Sequence, residues 1–190
     1  MKTLIVSGGI GSGKSALCAM LAERGIPVYD CDSRAKELYT CVPGLMNLVE
    51  EALGESFHTE EIPLDRKALS RRIFSDPMAR QKLEDILYPA LLEDFEAWRT
   101  AQDAPLVALE SAVILSKSVF DGVGDFIIWV DAPLDRRLER VCRRDALSSV
   151  EVKSRMDAQK SEAGKADVVI RNDGTLMDLS EKLDEVLEKI

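Results

Sequence analysis

A chain of 190 residues, 46% hydrophobic and 31% charged, is long enough for one sizeable core with an appended lobe. Its net charge of −9 excludes the electrostatic footprint of a nucleic-acid or anionic-membrane binder, so an anionic ligand must be held by local positive groups. No run approaches the ~20 apolar residues of a membrane span, and the opening MKTLIVSGG, with one lysine and a short apolar run, is not that of a signal peptide.

In chain order, TLIVS (3–7) is a short β-branched run broken by glycine, which predicts a buried parallel strand. The glycine-rich GGIGSGKS (8–15) follows. KSALCAMLAERG then places Leu17, Met20 and Leu21 at helical spacing and closes on Gly25. IPVYD (26–30) predicts a second strand. From there to PLVALE (105–110) there is no convincing strand but a succession of helical patterns, the last opened by Asp76-Pro77 as cap and first turn. Residues 35–103 are therefore expected to be a helical domain inserted into a sheet domain. DFIIWVD (125–131) and ADVVIRN (166–172) supply the last strands, with a helical excursion over 133–163 between them. Leu176, Leu179, Leu183, Val186 and Leu187 then line one face of a closing amphipathic helix. This alternation predicts an α/β fold with a largely parallel sheet, its core assembled from 1–34, 104–132 and 164–190.

Cys18, Cys31, Cys41 and Cys142 are scattered, with no C-x-x-C and no histidine nearby, which argues for reduced thiols in a cytoplasmic protein. The single histidine, His58, falls in a polar stretch and is expected to be solvated. A Ser-His-Asp or Cys-His enzyme is thereby disfavoured.

The chemistry concentrates at GGIGSGKS, which satisfies G-x-x-x-x-G-K-S/T between a strand and a helix. Glycines there let successive backbone N–H groups face phosphate oxygens, and the following helix adds its positive end. Gly11, Ser12, Gly13, Lys14, Ser15 and Ala16 are the expected nucleotide-binding segment. Lys14 can reach the outer phosphates, and the Ser15 hydroxyl can ligate Mg²⁺ bridging them. YDCD (29–32) ends the second strand, on the sheet edge where α/β proteins bind ligands. A carboxylate there can accept or orient the proton of an attacking hydroxyl, or hold water around Mg²⁺. Asp30 divides evenly between a structural and a functional role. Asp32 could cap the next helix, and the functional reading is preferred.

The segment after the fourth strand carries Arg136, Arg137, Arg140, Arg143 and Arg144, with Arg155 further on. Leu134, Leu138, Val141 and Cys142 form the opposite, core-facing stripe. A solvated basic face is one reading. In an acidic protein, five arginines within nine residues favour a lid that brings guanidinium groups over phosphates. Ser148 and Glu151 restart a helix as a capping box, giving helix, turn, helix.

Taken together, GGIGSGKS, GIPVYDCDSRAKELY, LDRKALSRRIFSDPMARQKLEDILYP, RRDALSSVEVKSRMDAQ and ADVVIRNDG resemble the dephospho-coenzyme A kinases over essentially the whole chain. The resemblance implies a P-loop kinase core of three α/β/α layers on a five-stranded sheet, a helical domain at 35–103 for the coenzyme A moiety, and a lid at 133–163. It implies transfer of the ATP γ-phosphoryl to the 3′-hydroxyl of the substrate ribose, with ATP and Mg²⁺ required and dephospho-coenzyme A as the partner. Asp32 matches the family's catalytic base, and the family's arginine contacts fall in 136–144, with Arg140 taken as the candidate. The alternatives are another P-loop small-molecule or nucleotide kinase, or a nucleotide-binding switch. Tyr88 departs from the family's usual histidine before proline, Ser116 and Lys117 stand where an acid is expected, and Ala16 replaces a frequent threonine.

Overall fold

The computed structural model describes residues 1–59, 64–146, 148–159 and 161–190. Its strands are β1 (Lys2–Gly8), β2 (Val28–Asp30), β3 (Leu106–Glu110), β4 (Phe126–Asp131) and β5 (Val168–Arg171). The helices are α1 (Lys14–Glu23), α2 (Cys31–Cys41), α3 (Leu45–Leu53), α4 (Arg66–Ser75), α5 (Pro77–Thr100), α6 (Leu134–Asp145), α7 (Ser149–Ala158) and α8 (Leu176–Leu187). The chain divides into two units, Met1–Asp30 with Gln102–Ile190, and Cys31–Ala101. The expected 133–163 segment belongs to the first; positions 147 and 160 within it lie outside the described residues.

In the first unit all five expected strands form and pair in parallel, in the order β2-β3-β1-β4-β5. The central strand β1 is covered on both faces, which is why its apolar run does not alternate with polar residues. Leu4 and Val6 share one face with Leu17 and Leu21 of α1 and with Leu179, Leu183 and Val186 of α8. Leu176 departs from the expected stripe: it opens α8 directly after the Thr175 cap and is 65% exposed. From the carboxyl end of β1 the chain crosses toward β2, and from that of its neighbour β3 it crosses toward β4. The two connections diverge at this point, the topological switch where open α/β sheets bind ligands.

Helices α6 and α7 carry a small core of their own. Val141, Val152 and Met156 are buried, with Ile10, Leu138 and Cys142 packed on them. Ser148 and Glu151 form the expected capping box. Leu134 does not join the stripe predicted for it, because α6 and α7 meet along Leu138–Cys142 and the first turn of α6 extends past that contact; it is 49% exposed.

The second unit is helical throughout its described secondary structure. Met46, Val49, Leu53, Phe57, Leu69, Ala79 and Leu83 build its core from α3, α4 and α5. Asp76 caps α5 as expected, accepting from the N–H groups of Met78 and Ala79, with Pro77 in the first turn. The His58 ring is exposed, yet it is paired with Glu50 at 2.8 Å, so it is not simply solvated. All four cysteines are free thiols.

Candidate active site

The glycine-rich segment runs directly from β1 into α1, with Gly13 as the residue ahead of the helix. Gly13 has φ +103°, a left-handed conformation that disfavours any side chain, and a Cβ there would stand 2.1 Å from Asn172 Nδ2. The fold adds a reason for glycine that the motif does not state: the main chain must both turn and lie against neighbours with no room for a Cβ. Ser12 is buried, and among the described residues its hydroxyl has no hydrogen-bond partner. Lys14 folds back over the loop, donating to the Gly8 carbonyl at 3.0 Å and the Gly9 carbonyl at 3.3 Å. Ala16 packs against the sheet core and offers a phosphate only its backbone.

Ser15 begins α1 on the exposed side, and its hydroxyl donates to Glu110 Oε1 at 2.9 Å. Glu110 ends β3 and is the register partner of Val6 in β1 and Asp30 in β2. Three adjacent parallel strands therefore bring the phosphate-type loop, Glu110 and Asp30 to one carboxyl edge. Beneath them lies Cys18. Burial, then the charge of Glu110 and a hydrogen bond to it, pushes its thiol well up, so it stays a neutral S–H beside the carboxylate. Hydroxyl and carboxylate oxygens are hard donors suited to Mg²⁺, and Ser15 with Glu110 fits such an ion.

Side chains of α6 and of the residue after α7 also reach the loop. Arg137 Nε donates to the Ile10 carbonyl at 2.8 Å. Arg140 donates to the carbonyls of Gly11 (3.4 Å), Ser12 (3.3 Å) and Asn172 (3.3 Å). Gln159, just past α7, accepts from the Ile10 N–H at 2.8 Å and donates to the Ala112 carbonyl at 3.1 Å. Arg144, by contrast, pairs with its neighbour Asp145.

Asp32 belongs to the second unit. The helix α2 starts at Cys31, two residues before the expected SRAKELYT, so Asp30 stands ahead of the helix and Asp32 lies in its first turn. Asp32 therefore does not stand ahead of the helix as a cap, and a carboxylate at the second helical position is favoured by the helix dipole. Asp32 is exposed. Within the same unit Tyr88, from α5, lies close enough for the Asp32 charge to act on it. Burial first, then the Glu84 carboxylate, to which the hydroxyl donates at 3.4 Å, and Asp32 raise the Tyr88 phenol, keeping it protonated. Arg34 forks onto Asp94 with two contacts of 2.7 Å, tying α2 to α5.

The residues brought together in the first unit are therefore Gly11, Ser12, Gly13, Lys14, Ser15, Ala16 and Arg140, with Arg137 of the arginine-rich helix, all named from sequence, plus Glu110, Asn172 and Gln159, which were not. Glu110 carried a readable sign, an acid at the carboxyl end of a strand. Asn172 and Gln159 carried none, because their partners are backbone atoms about 150 residues away in the chain.

The profile of the dephospho-CoA kinase family matches residues 3–178. The chain belongs to the dephospho-CoA kinase family. A dephospho-CoA kinase from Thiobacillus denitrificans is 33% identical over all of this chain and 95% of its own length. One from Porphyromonas gingivalis is 38% identical over 85% of this chain and 79% of its own. Among solved structures, a Thermus thermophilus protein superposes with TM-score 0.83 at 35% identity, covering 100% of this chain and 97% of its own. An Acinetobacter baumannii shikimate kinase, with TM-score 0.58 at 15% identity over 100% of this chain and 94% of its own, shares the fold. Membership in this family of kinases implies use of a nucleotide, and among the described residues no helix is long and apolar enough to cross a membrane.

Proposed function

We propose that this chain transfers the γ-phosphoryl group of ATP to the ribose 3′-hydroxyl of dephospho-coenzyme A, forming coenzyme A and ADP, the last step of coenzyme A synthesis, in the cytoplasm. The observation that carries this reading is the phosphate-type loop beside Ser15 and Glu110 in a chain matched over residues 3–178 by the family profile. The N–H groups of the loop and the start of α1 hold the phosphates, and Lys14 leaves the Gly8 and Gly9 carbonyls to meet the outer ones. Ser15 and Glu110 are the residues that would hold Mg²⁺, which would supply neutralisation of the phosphate charge there.

In the chemical step, the 3′-oxygen attacks Pγ, the bond from Pγ to the β–γ bridging oxygen breaks, and ADP leaves. Asp32 takes the proton of the attacking hydroxyl. The 31–101 unit receives the coenzyme A moiety, and the 133–163 segment, bearing Arg140, covers the nucleotide.

Incubation with Mg-ATP and dephospho-coenzyme A should yield coenzyme A and ADP in equal amounts. Phosphorylation of another alcohol, with dephospho-coenzyme A left untouched, would establish a different P-loop kinase. ATP hydrolysis unaffected by any acceptor would favour a nucleotide-binding switch.

A further inference from the structure

The carbonyls of the phosphate loop are gripped by side chains that lie outside its motif. Arg137 holds Ile10 O, Arg140 holds Gly11 O and Ser12 O, and Asn172 Nδ2 donates to Ser12 O at 2.8 Å. In a planar trans peptide the C=O and the next N–H point in opposite directions. Gripping the carbonyls of Ile10, Gly11 and Ser12 therefore aims the N–H groups of Gly11, Ser12 and Gly13. The Ser12 N–H closes a tight turn onto Gly9 O at 3.1 Å. The N–H groups of Gly11 and Gly13 are then turned away from the side chains of α6 and of the residue after β5.

Asn172 sits at the centre of this arrangement. It is 5% exposed. Its own N–H donates to the Asp131 carbonyl at 2.7 Å, which fixes it at the end of β5 beside β4. Its Oδ1 accepts from Arg140 at 3.5 Å while its Nδ2 serves Ser12 O, so one amide joins the arginine to the loop. Its amide fills the space that a Cβ at Gly13 would need.

We propose that Asn172 is a positioning residue for phosphoryl transfer. With Arg140 it presets the Ser12–Gly13 peptide so that the Gly13 N–H already faces the phosphate site when nucleotide arrives. It acts through that peptide and touches neither substrate. This rests on the reading of the loop as an ATP site. Arg140 accordingly contributes to the loop from its carbonyl side, as Asn172 does, and its effect depends on the fork of the guanidinium as well as on its charge.

The test is Asn172→Asp, which keeps the shape of the side chain and its pairing with Arg140 but replaces the donor facing Ser12 O with an acceptor. ATP affinity is measured by titration without acceptor, together with both KM values and the thermal midpoint of the ligand-free protein. The expected result is a loss of ATP affinity of about tenfold or more, with KM for dephospho-coenzyme A within twofold of the parent chain. Unchanged ATP affinity would overturn the proposal. So would a lowered midpoint with both KM values raised alike, the mark of a merely structural residue. If Asn172→Asp does not fold, Asn172→Ala gives the same reading, because it removes the amide donor facing Ser12 O: ATP affinity equal to the parent would overturn the proposal, and a selective loss would support it. Failure of the unaltered chain to bind ATP would instead overturn the reading of the loop itself.

Discussion

The Ser15 hydroxyl donates to the Glu110 carboxylate at 2.9 Å, joining the first turn of α1 to the carboxyl end of β3. Both oxygens are hard ligands, and both sit at the topological switch of the sheet. Glu110→Gln keeps the shape but removes the charge. It should raise the Mg²⁺ concentration for half-maximal rate by about 10–100-fold, measured by titrating Mg²⁺ at fixed ATP. An unchanged Mg²⁺ requirement would remove Glu110 from the metal's surroundings.

Asp32→Ala should leave ATP affinity as it is while kcat falls by about 10²–10⁴-fold, the usual range for loss of a general base. Parallel titration and turnover assays separate the two effects. Normal turnover in this variant rules out a role for Asp32 in the proton transfer.

Lys14→Ala should affect binding and rate together, because the lysine acts on the phosphates in both the ground and the transition state. The expected loss in kcat/KM is about 10²–10³-fold, with weaker ATP binding in a titration. Full activity would mean that the glycine loop does not serve the nucleotide.

Phe57 is 1% exposed in the core of the helical unit. Phe57→Ala should lower the unfolding free energy by about 3–5 kcal/mol, read from denaturant curves. A loss below about 1 kcal/mol would show that the site collapses around the smaller side chain.

Asp76 gives a pH dependence of known sign. The Arg72 guanidinium, at 2.6 Å, and the N–H groups of Ala79 and Met78 hold its carboxyl below the ordinary carboxylate range. A carboxyl depressed in the folded state stabilises it fully above the unfolded value of about 3.9 and loses that contribution as pH falls through the folded value. Asp76→Ala should therefore melt below the parent chain at neutral pH, and the two midpoints should converge toward strong acid. A constant difference across the pH range would contradict this.

Most of the architecture was legible because it depends on local pattern. The run TLIVS and the four later strands declared themselves by short apolar composition bounded by glycine, proline or acids. Asp76-Pro77 and Ser148 with Glu151 announced helix starts, since a cap reports on backbone groups two or three residues away. Stripes were less dependable at helix ends. Leu134 and Leu176 fit the helical period, but the elements that should cover them stop short, and no periodicity encodes the length of a neighbour.

The glycine loop with Lys14 and Ser15 could likewise be picked out from sequence as candidates, because they form one contiguous motif, while Asp32 was singled out by the resemblance to the family. What the tertiary structure alone decided is what surrounds them. Glu110 meets Ser15 only because β3 lies beside β1, an order of strands that the order of residues does not state. Asn172 and Gln159 meet the loop across about 150 residues of chain, through single backbone atoms that any residue could offer. Motifs are local, whereas the packing that aims their N–H groups is assembled from parts of the chain that share no sequence signal.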